Sequence, residues 1–380
     1  MPEYLSPGVY VEEFDSASVP IAGVSTSTAG FIGLAQRGKV EGLPELVTSF
    51  SDFMRKYGGY LSELQFGEFR YLAYAVEHFF LNGGSRAYIM RVVPEDAKCA
   101  LNKELGFLKF TAKNPGSWGD RIRILVSPSN KAKSNILEDI GGAQYKFKTT
   151  VGFNEGEVIE FIGGQEVQVR KITMIQGNIV TLNEPFADGV VDTNLVPEKF
   201  AATCEFNMQI AYGDEVEEYK NISLNPAGAN FIAKVLVKSE LVSIDTGKGI
   251  DEIAKPYEKI AGEKDKDGEA WFNLAGGSDG SLGKLSAAEF MGKDLGPGKR
   301  TGIKSFVDND EVSIMSVPGV TIPDVQMSLV AHCENKANRF AILDIPRDTK
   351  NVNDLKKYRD MFDSSYAAAY HPWVKVFDPL

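Results

Sequence analysis

The stretch from Glu311 to Leu380 constrains the fold more than any other, because it reads as extended apolar runs alternating with helices. EVSIMSVPG (Glu311–Gly319) is a short apolar run with a Pro-Gly stop, the pattern of a buried strand. Pro323 then opens a helix, since proline suits the first helical turn, where its missing N–H has no partner to lose. Val325, Leu329, Val330, Cys333 and Ala337 recur at turn spacing and give that helix one apolar face. FAILDIP (Phe340–Pro346) is a second buried run. Asn351 or Asn353 caps another helix through Leu355, Tyr358, Met361 and Phe362, and YAAAYHPWVKVFDP (Tyr366–Pro379) is a third extended run. Strand, helix, strand, helix, strand is the order of an open sheet with parallel pairs and right-handed crossovers. His371-Pro372 interrupts the last run, and proline cannot donate to a ladder, so this strand is expected to bend or to lie at an edge.

A second α/β piece lies near the other end. Thr28–Ala35 reads as a buried strand, and Ser49 or Ser51 caps a short helix around Phe53–Tyr57 that Gly58-Gly59 ends. Phe66–Leu81 is expected to be one strongly amphipathic helix with Phe69, Leu72, Ala73, Val76, Phe79 and Phe80 as its buried stripe and Asn82-Gly83-Gly84 as its C-cap. Ala87–Val93 returns as a strand. This half should join the C-terminal block in one sheet.

Between the two pieces, from about Asp96 to Asp279, helical periodicity fades and short β-rich runs sit between Gly, Asn and Asp turns. Arg121–Ser127 and Phe206–Ala211 read as strands, and Glu215–Ile222 follows a Gly213-Asp214 turn as a hairpin partner. Near-regular spacing of short strands over Lys146–Phe186 suggests a small β-barrel or sandwich within the insert. Asn230–Leu236 is read as a short helix and Leu241–Ile244 as a strand. Asp251–Glu269, dense in mixed charge, is read as a solvated surface segment. The expected organisation is an N-terminal arm (1–21), a first core piece (22–95), an inserted β-rich domain (96–280, with a subdomain at 146–187) and a second core piece (281–380). The fold class is therefore an α/β core, an open mixed sheet with flanking helices built from two chain segments, carrying a β-rich insert.

Within the arm, Gly8, Val9, Tyr10, Val11, Glu12 and Glu13 form a short strand pattern with Val9 and Val11 on one side and no neighbouring hairpin partner. Such a strand pairs either on its own domain or on another chain, so these residues are the candidate subunit-interaction site.

Composition narrows function by exclusion. A net charge of −11 argues against nucleic-acid binding as the main task. No apolar stretch approaches bilayer-spanning length, and MPEYLSPGVYVEEF lacks the basic start and apolar core of a signal peptide. Cys99, Cys204 and Cys333 are scattered and odd in number, which fits buried reduced thiols.

No catalytic, cofactor-binding or metal-binding residue emerges, and no cofactor is expected. GPGKRTG (Gly296–Gly302) departs from a phosphate loop, because Arg300 stands where the magnesium-holding hydroxyl belongs and no apolar strand precedes it. Gly276–Gly280 lacks the strand–turn–helix setting of a dinucleotide fingerprint. His332 and Cys333 are adjacent on a helix and point about 100° apart, poor geometry for shared ligation. Asp363, Ser364, Ser365 and His371 lack a nucleophile elbow, and the serines read as cap or turn residues. Trp118, Trp271 and Trp373 read as packing anchors. The expectation is a non-enzymatic, structural role.

The ordered motifs SPGVYVEE, GGSRAYIMRVV, NPGSWGDRIRI, LAGGSDG, GPGKRTGI, DEVSIMSVPGV, HCENKANRFAILDIP and SSYAAAYHPWVKVFDP span nearly the whole chain. In that order they resemble the tail sheath proteins of contractile phage tails and related contractile injection systems. The resemblance implies a virion tail protein, assembled in the bacterial host cytoplasm, that polymerises with other sheath subunits as stacked rings around an inner tail tube protein. It implies contacts with baseplate and tail terminator proteins, contraction that drives the tube through a cell envelope, and no direct membrane insertion. It also implies that terminal arms add strands to neighbouring subunits, which shifts the Gly8–Glu13 strand toward pairing with another chain. Family members usually continue past the Trp-x-Lys-Val-x-Asp-Pro strand, whereas this chain stops at Leu380, so the chain alone is expected to be monomeric or weakly associated. A receptor- or sugar-binding particle protein is the alternative, and exposed aromatics within Lys146–Phe186 would favour it. A nucleotide-dependent enzyme rests only on Gly296–Gly302.

Overall fold

The computed structural model describes residues 28–102, 107–162, 168–187, 200–247, 258, 260 and 268–380. The Gly8–Glu13 strand expectation lies outside the described residues. The chain divides into two compact units, Met1–Val92 with Leu285–Leu380, and Val93–Lys284.

The first unit is built on one six-stranded sheet. Its strands are β1 (Thr28–Gly33), β2 (Glu45–Val47), β3 (Arg86–Arg91), β4 (Ile314–Ser316), β5 (Phe340–Asp344) and β6 (Ala367–Tyr370), in the order β6-β5-β4-β1-β3-β2. All pairs are parallel except β2 with β3. The two chain segments meet between β1 and β4, with Ala29 opposite Ile314. β1 is buried along its whole length, as a central parallel strand covered on both faces must be. The longer helices beside the strands are α1 (Phe50–Tyr57), α2 (Leu72–Leu81), α3 (Pro323–Lys336) and α4 (Val352–Arg359). The Ser49 hydroxyl accepts from Asp52 N to cap α1, and the Asn351 side chain accepts from Asn353 N to cap α4. Phe53 and Tyr57 of α1 and Leu72 and Val76 of α2 pack against Phe31, Ala87 and Ile89 of the sheet in one core.

Two sequence expectations need correction here. The helix expected over Phe66–Leu81 is broken: Glu63–Phe66 forms its own turn, capped by Ser62, and α2 begins only at Leu72. The break is at Gly67, whose φ of 53° closes the first turn in a conformation a side chain resists. Phe69, Phe79 and Phe80 are half-buried, with Phe79 and Phe80 packed at the margin of the core, whereas Leu72, Ala73 and Val76 are fully covered. The third extended run is also shorter, for only Ala367–Tyr370 enters the ladder and residues 371–380 leave it at Pro372. β6 lies at the sheet edge, the second of the two outcomes the proline allowed.

A buried cation organises this unit. The Arg339 side chain is fully buried and donates to the Phe306 carbonyl at 3.1 Å and the Asn309 carbonyl at 2.7 Å, tying the 3-10 turn Gly302–Asp308 to the start of β5. Its Nη1 lies 3.1 Å from His332 Nε2. Burial, then the charges of Arg339 and Lys336, hold the His332 imidazole down at about 4, so near neutral pH it is uncharged and accepts from Arg339.

The second unit is β-rich. A four-stranded sheet runs in the order Glu215–Ile222, Glu205–Tyr212, Arg123–Ser129, Trp271–Asn273. Its hairpin turns at Gly213, where φ is 59°. Leu108–Ala112 pairs with Val242–Thr246 beside it, and one core that includes Phe110, Trp118, Ile124, Phe206 and Leu274 joins the two sheets. A seven-stranded antiparallel sheet takes the order Lys133–Ser134, Phe200–Thr203, Val158–Ile162, Gln168–Gln176, Ile179–Leu182, Gln144–Phe147, Ile136–Gly141. It has a separate core of Tyr145, Phe147, Phe153, Ile159, Phe161 and neighbours. This sheet is wider than the 146–187 expectation, because three of its strands lie outside that span. Ile260 corrects the reading of Asp251–Glu269 as wholly solvated, since it is 2% exposed and belongs to the first β core. Its charged neighbours in sequence masked one inward-facing residue.

Candidate assembly surface

One edge of the first unit's sheet is β6, and the other is β2. Ala367 to Tyr370 pair with Ala341 to Asp344 of β5 on one side, and no described strand pairs with the other side. The alanines are half-buried and Tyr370 is exposed, and an edge strand of small residues leaves room for a further strand beside it.

After the cis His371-Pro372 peptide the chain continues as a strap over the N-terminal end of α2. Trp373 Nε1 donates to the Ile345 carbonyl at 2.7 Å, and its ring meets that of Tyr71 edge-on with centroids 5.0 Å apart. The Tyr74 hydroxyl donates to Asp378 Oδ1 at 2.8 Å. Burial, then the Asp378 bond, pushes the Tyr74 phenol up to about 12. The Leu380 amide, then the Tyr74 hydroxyl, holds the Asp378 carboxyl below its ordinary value. Between these two pins a cavity of about 780 Å³ is lined by Arg70, Tyr71, Tyr74, His78, Asp344 and Arg347 among others. The strap turns Val374, Phe377 and Leu380 outward, at 81%, 87% and 68% exposure. An open strand edge continued by outward apolar side chains is the chemistry of a surface that another chain covers.

The loops singled out in the sequence have internal work. NPGSWGDRIRI and LAGGSDG, far apart in sequence, lock together where the chain enters and leaves the second unit. Asp120 Oδ1 accepts from Gly277 N at 2.7 Å, and Asp279 accepts from Ser117 Oγ at 2.5 Å and Ser117 N at 3.3 Å. A Cβ on Gly277 would lie 2.4 Å from the Gly116 carbonyl oxygen, so the close approach requires glycine. Trp118 anchors the same turn, with Nε1 donating to the Asn114 carbonyl. GPGKRTG closes on itself as well: Thr301 N donates to the Lys293 carbonyl, and Arg300 pairs with Asp294 at 2.8 Å and with Asp308. It leads into a 3-10 turn, not the α-helix of a phosphate loop.

The other residues weighed from sequence are not brought together. His332 faces Arg339, while Cys333 is fully buried, its thiol pushed up to about 12 by burial. Ser364 Oγ accepts from Tyr366 N within a turn, and His371 is exposed. Trp271 is half-buried under the Arg123 guanidinium, 4.7 Å from its ring centroid. Sequence reasoning missed the strap's two pins, because Tyr71 and Tyr74 read as stripe-flanking helix residues and gave no sign of contacts some three hundred positions away.

No protein-family model matches this chain, and no curated protein matches it. Among solved structures it is similar to a sheath tail protein from Desulfitobacterium hafniense, with 12% identity, a TM-score of 0.40, and coverage of 96% of this chain and 56% of that one. It is similar also to a sheath tail protein from Listeria innocua, with 13% identity, a TM-score of 0.38, and coverage of 85% and 48%. The chain thus spans about half the length of these proteins. Among the described residues no helix is long and apolar enough to cross a membrane.

Proposed function

We propose that this chain is a structural subunit of a contractile tail sheath, polymerising with copies of itself as stacked rings around an inner tube and driving that tube through a cell envelope. The observation that carries the reading is the open β6 edge, together with the outward apolar strap that follows it. A strand edge of small residues accepts a strand from another chain through main-chain bonds, which tolerate rotation of rigid bodies joined by flexible segments. The ordered sheath-like motifs support the same reading, since they supply both halves of the six-stranded sheet and the Asp120/Asp279 lock of the insert. The tube protein, baseplate and terminator as partners, assembly in the bacterial host cytoplasm and a non-enzymatic role follow from this reading. We also read the seven-stranded sheet as a small closed barrel, because its two end strands are separated in sequence by Asn135 alone.

The receptor- or sugar-binding alternative asked for exposed aromatics in Lys146–Phe186. Phe147, Phe153, Phe161 and Phe186 all face the core at 6% exposure or less, so that support is missing.

The test is electron microscopy of the chain co-produced with its tube protein, alongside an Ala369→Lys variant that charges the β6 edge. Ordered rings or tubes from the wild type, lost in a variant that remains folded, are expected. Absence of any assembly, or assembly indifferent to the edge charge, overturns the reading.

A further inference from the structure

Two carboxylates are buried in the second unit where the Phe200–Thr203 strand of the seven-stranded sheet runs on into the Glu205–Tyr212 strand of the four-stranded sheet. Thr203 stands opposite Ile159, and Cys204 N donates to the Val158 carbonyl at 2.9 Å. The next positions outward, Glu205 and Glu157, therefore face each other across the two chains. They are 2% and 3% exposed. Glu157 is met by its own loop, with Asn154 Nδ2 donating to one oxygen at 2.7 Å and Asn154 N to the other at 2.9 Å. Glu205 accepts from Lys131 N through Oε2 at 2.9 Å, while its buried Oε1 has no hydrogen-bond partner.

An ionised oxygen buried without a donor is strongly disfavoured, and a second carboxylate facing it raises that penalty. A proton on Glu157 removes the repulsion and supplies the missing donor to Glu205 Oε1. The charged groups that Glu157 senses are Glu205 and the Lys131 ammonium, and Lys131 is solvent-exposed. The adjoining strand presents Ile172, whose amide and carbonyl bond Glu157 and Gly156. Burial first, with Glu205 adding to it, moves the Glu157 carboxyl above its ordinary range.

We propose that Glu157 keeps its proton in the folded chain and offers it to the unpartnered Glu205 Oε1, a titratable latch at the joint of the two sheets that is closed while Glu157 is protonated and loosened when Glu157 ionises. The proton comes from and returns to solvent, and no other reactant is needed. A folded-state acid raised above its unfolded value contributes stability that is full at low pH and is lost as pH rises through the folded value.

The test is chemical denaturation of the full chain and of Glu205→Gln between about pH 5 and about pH 8, reading the difference between the two. The variant removes the unmatched acceptor charge and its amide can donate to the Glu157 carboxylate, so its unfolding midpoint should exceed that of the wild type at about pH 8, and the gap should close toward about pH 5 as Glu157 regains its proton. Backbone amide exchange at Lys131 and Cys204 in the wild type should accelerate over the same rise. A Glu205→Gln midpoint at or below wild type at about pH 8 overturns the proposal. Should the variant fail to fold, carboxyl NMR of glutamate-labelled wild type decides: one resonance must titrate well above the others, and its absence overturns the latch. Stabilisation of the wild type at about pH 8 by millimolar calcium, lost in Glu205→Gln, would show a cation site and also overturn it.

Discussion

The two units bury charge in opposite ways. In the α/β unit, Arg339 meets fixed carbonyl oxygens of Phe306 and Asn309 and a neutral His332. In the β unit, Glu205 keeps a buried oxygen with no donor, opposite a second acid. The difference follows from chemistry. A guanidinium does not lose its proton in a protein, so the fold must supply acceptors for it. A carboxylic acid can take up a proton, so the fold can leave one oxygen unmatched. The first arrangement is permanent scaffolding, and the second responds to pH.

The largest effect should come from breaking the permanent arrangement. Arg339→Met strips the donor from two carbonyls in a closed interior, and a loss of about 3 kcal/mol or more is expected from the cost of orphaned buried groups. Urea denaturation near neutral pH measures it. A loss under about 1 kcal/mol would make the buried cation incidental to the unit.

His332 sharpens the same contrast. Its folded value of about 4 lies below the unfolded value, so it favours folding while uncharged. That contribution is present above about pH 6.5 and is lost as pH falls toward 4. Glu157, held above its ordinary value by burial, runs the other way, and its contribution is lost as pH rises through the raised value. The fall of His332 from 6.5 to about 4 amounts to about 3 kcal/mol. His332→Gln keeps an acceptor for Arg339 and cannot charge, so it should flatten the acid limb of the stability profile while leaving the neutral region nearly unchanged. An unaltered acid limb would place the loss elsewhere.

The β unit's lock is more modest. Asp279→Ala removes the acceptor for Ser117 at an exposed position, with an expected cost of about 1–2 kcal/mol. Thermal melts measure it, and Asp120→Ala should behave alike because Gly277 N loses its partner. A double variant costing no more than either single one would show that the two bonds close one shared turn.

What the sequence made legible was local. The parallel succession β4-α3-β5-α4-β6 was readable because proline, asparagine caps and apolar spacing mark each boundary within a few residues. The α2 break was not, because an apolar stripe continued on both sides of Gly67 and nothing in the spacing showed its positive φ. Pairings between distant segments left fainter marks. β1 beside β4, Asp279 on Ser117 and Trp373 against Tyr71 join residues more than a hundred positions apart, and their side chains are ordinary surface or core types until the fold brings them together. Ile260 and the Glu157/Glu205 pair were hidden for a related reason. Charge in a sequence reads as solvent exposure, and only the packed structure shows which charges, or which apolar residues among them, turn inward.

The smallest expected effect concerns the strap. Tyr74→Phe deletes one hydroxyl donor to Asp378 and leaves the aromatic contacts of the unit in place. Because the phenol is held up to about 12, the bond persists through the alkaline range. Because the Asp378 carboxyl is held below its ordinary value, the bond's contribution is complete above that ordinary value and is lost only as pH falls through the lowered one. The variant should therefore change strap opening and not global unfolding. Limited proteolysis within residues 374–380 should accelerate by about two- to five-fold, the factor that one weak hydrogen bond represents, with the unfolding midpoint unmoved. Trp373→Phe, which removes the bond to Ile345 as well as indole area against Tyr71, should open the strap further. Equal cleavage rates in wild type and both variants would mean that the strap is held by neither pin, and its outward Val374 and Phe377 would then belong to a segment free to leave α2 altogether.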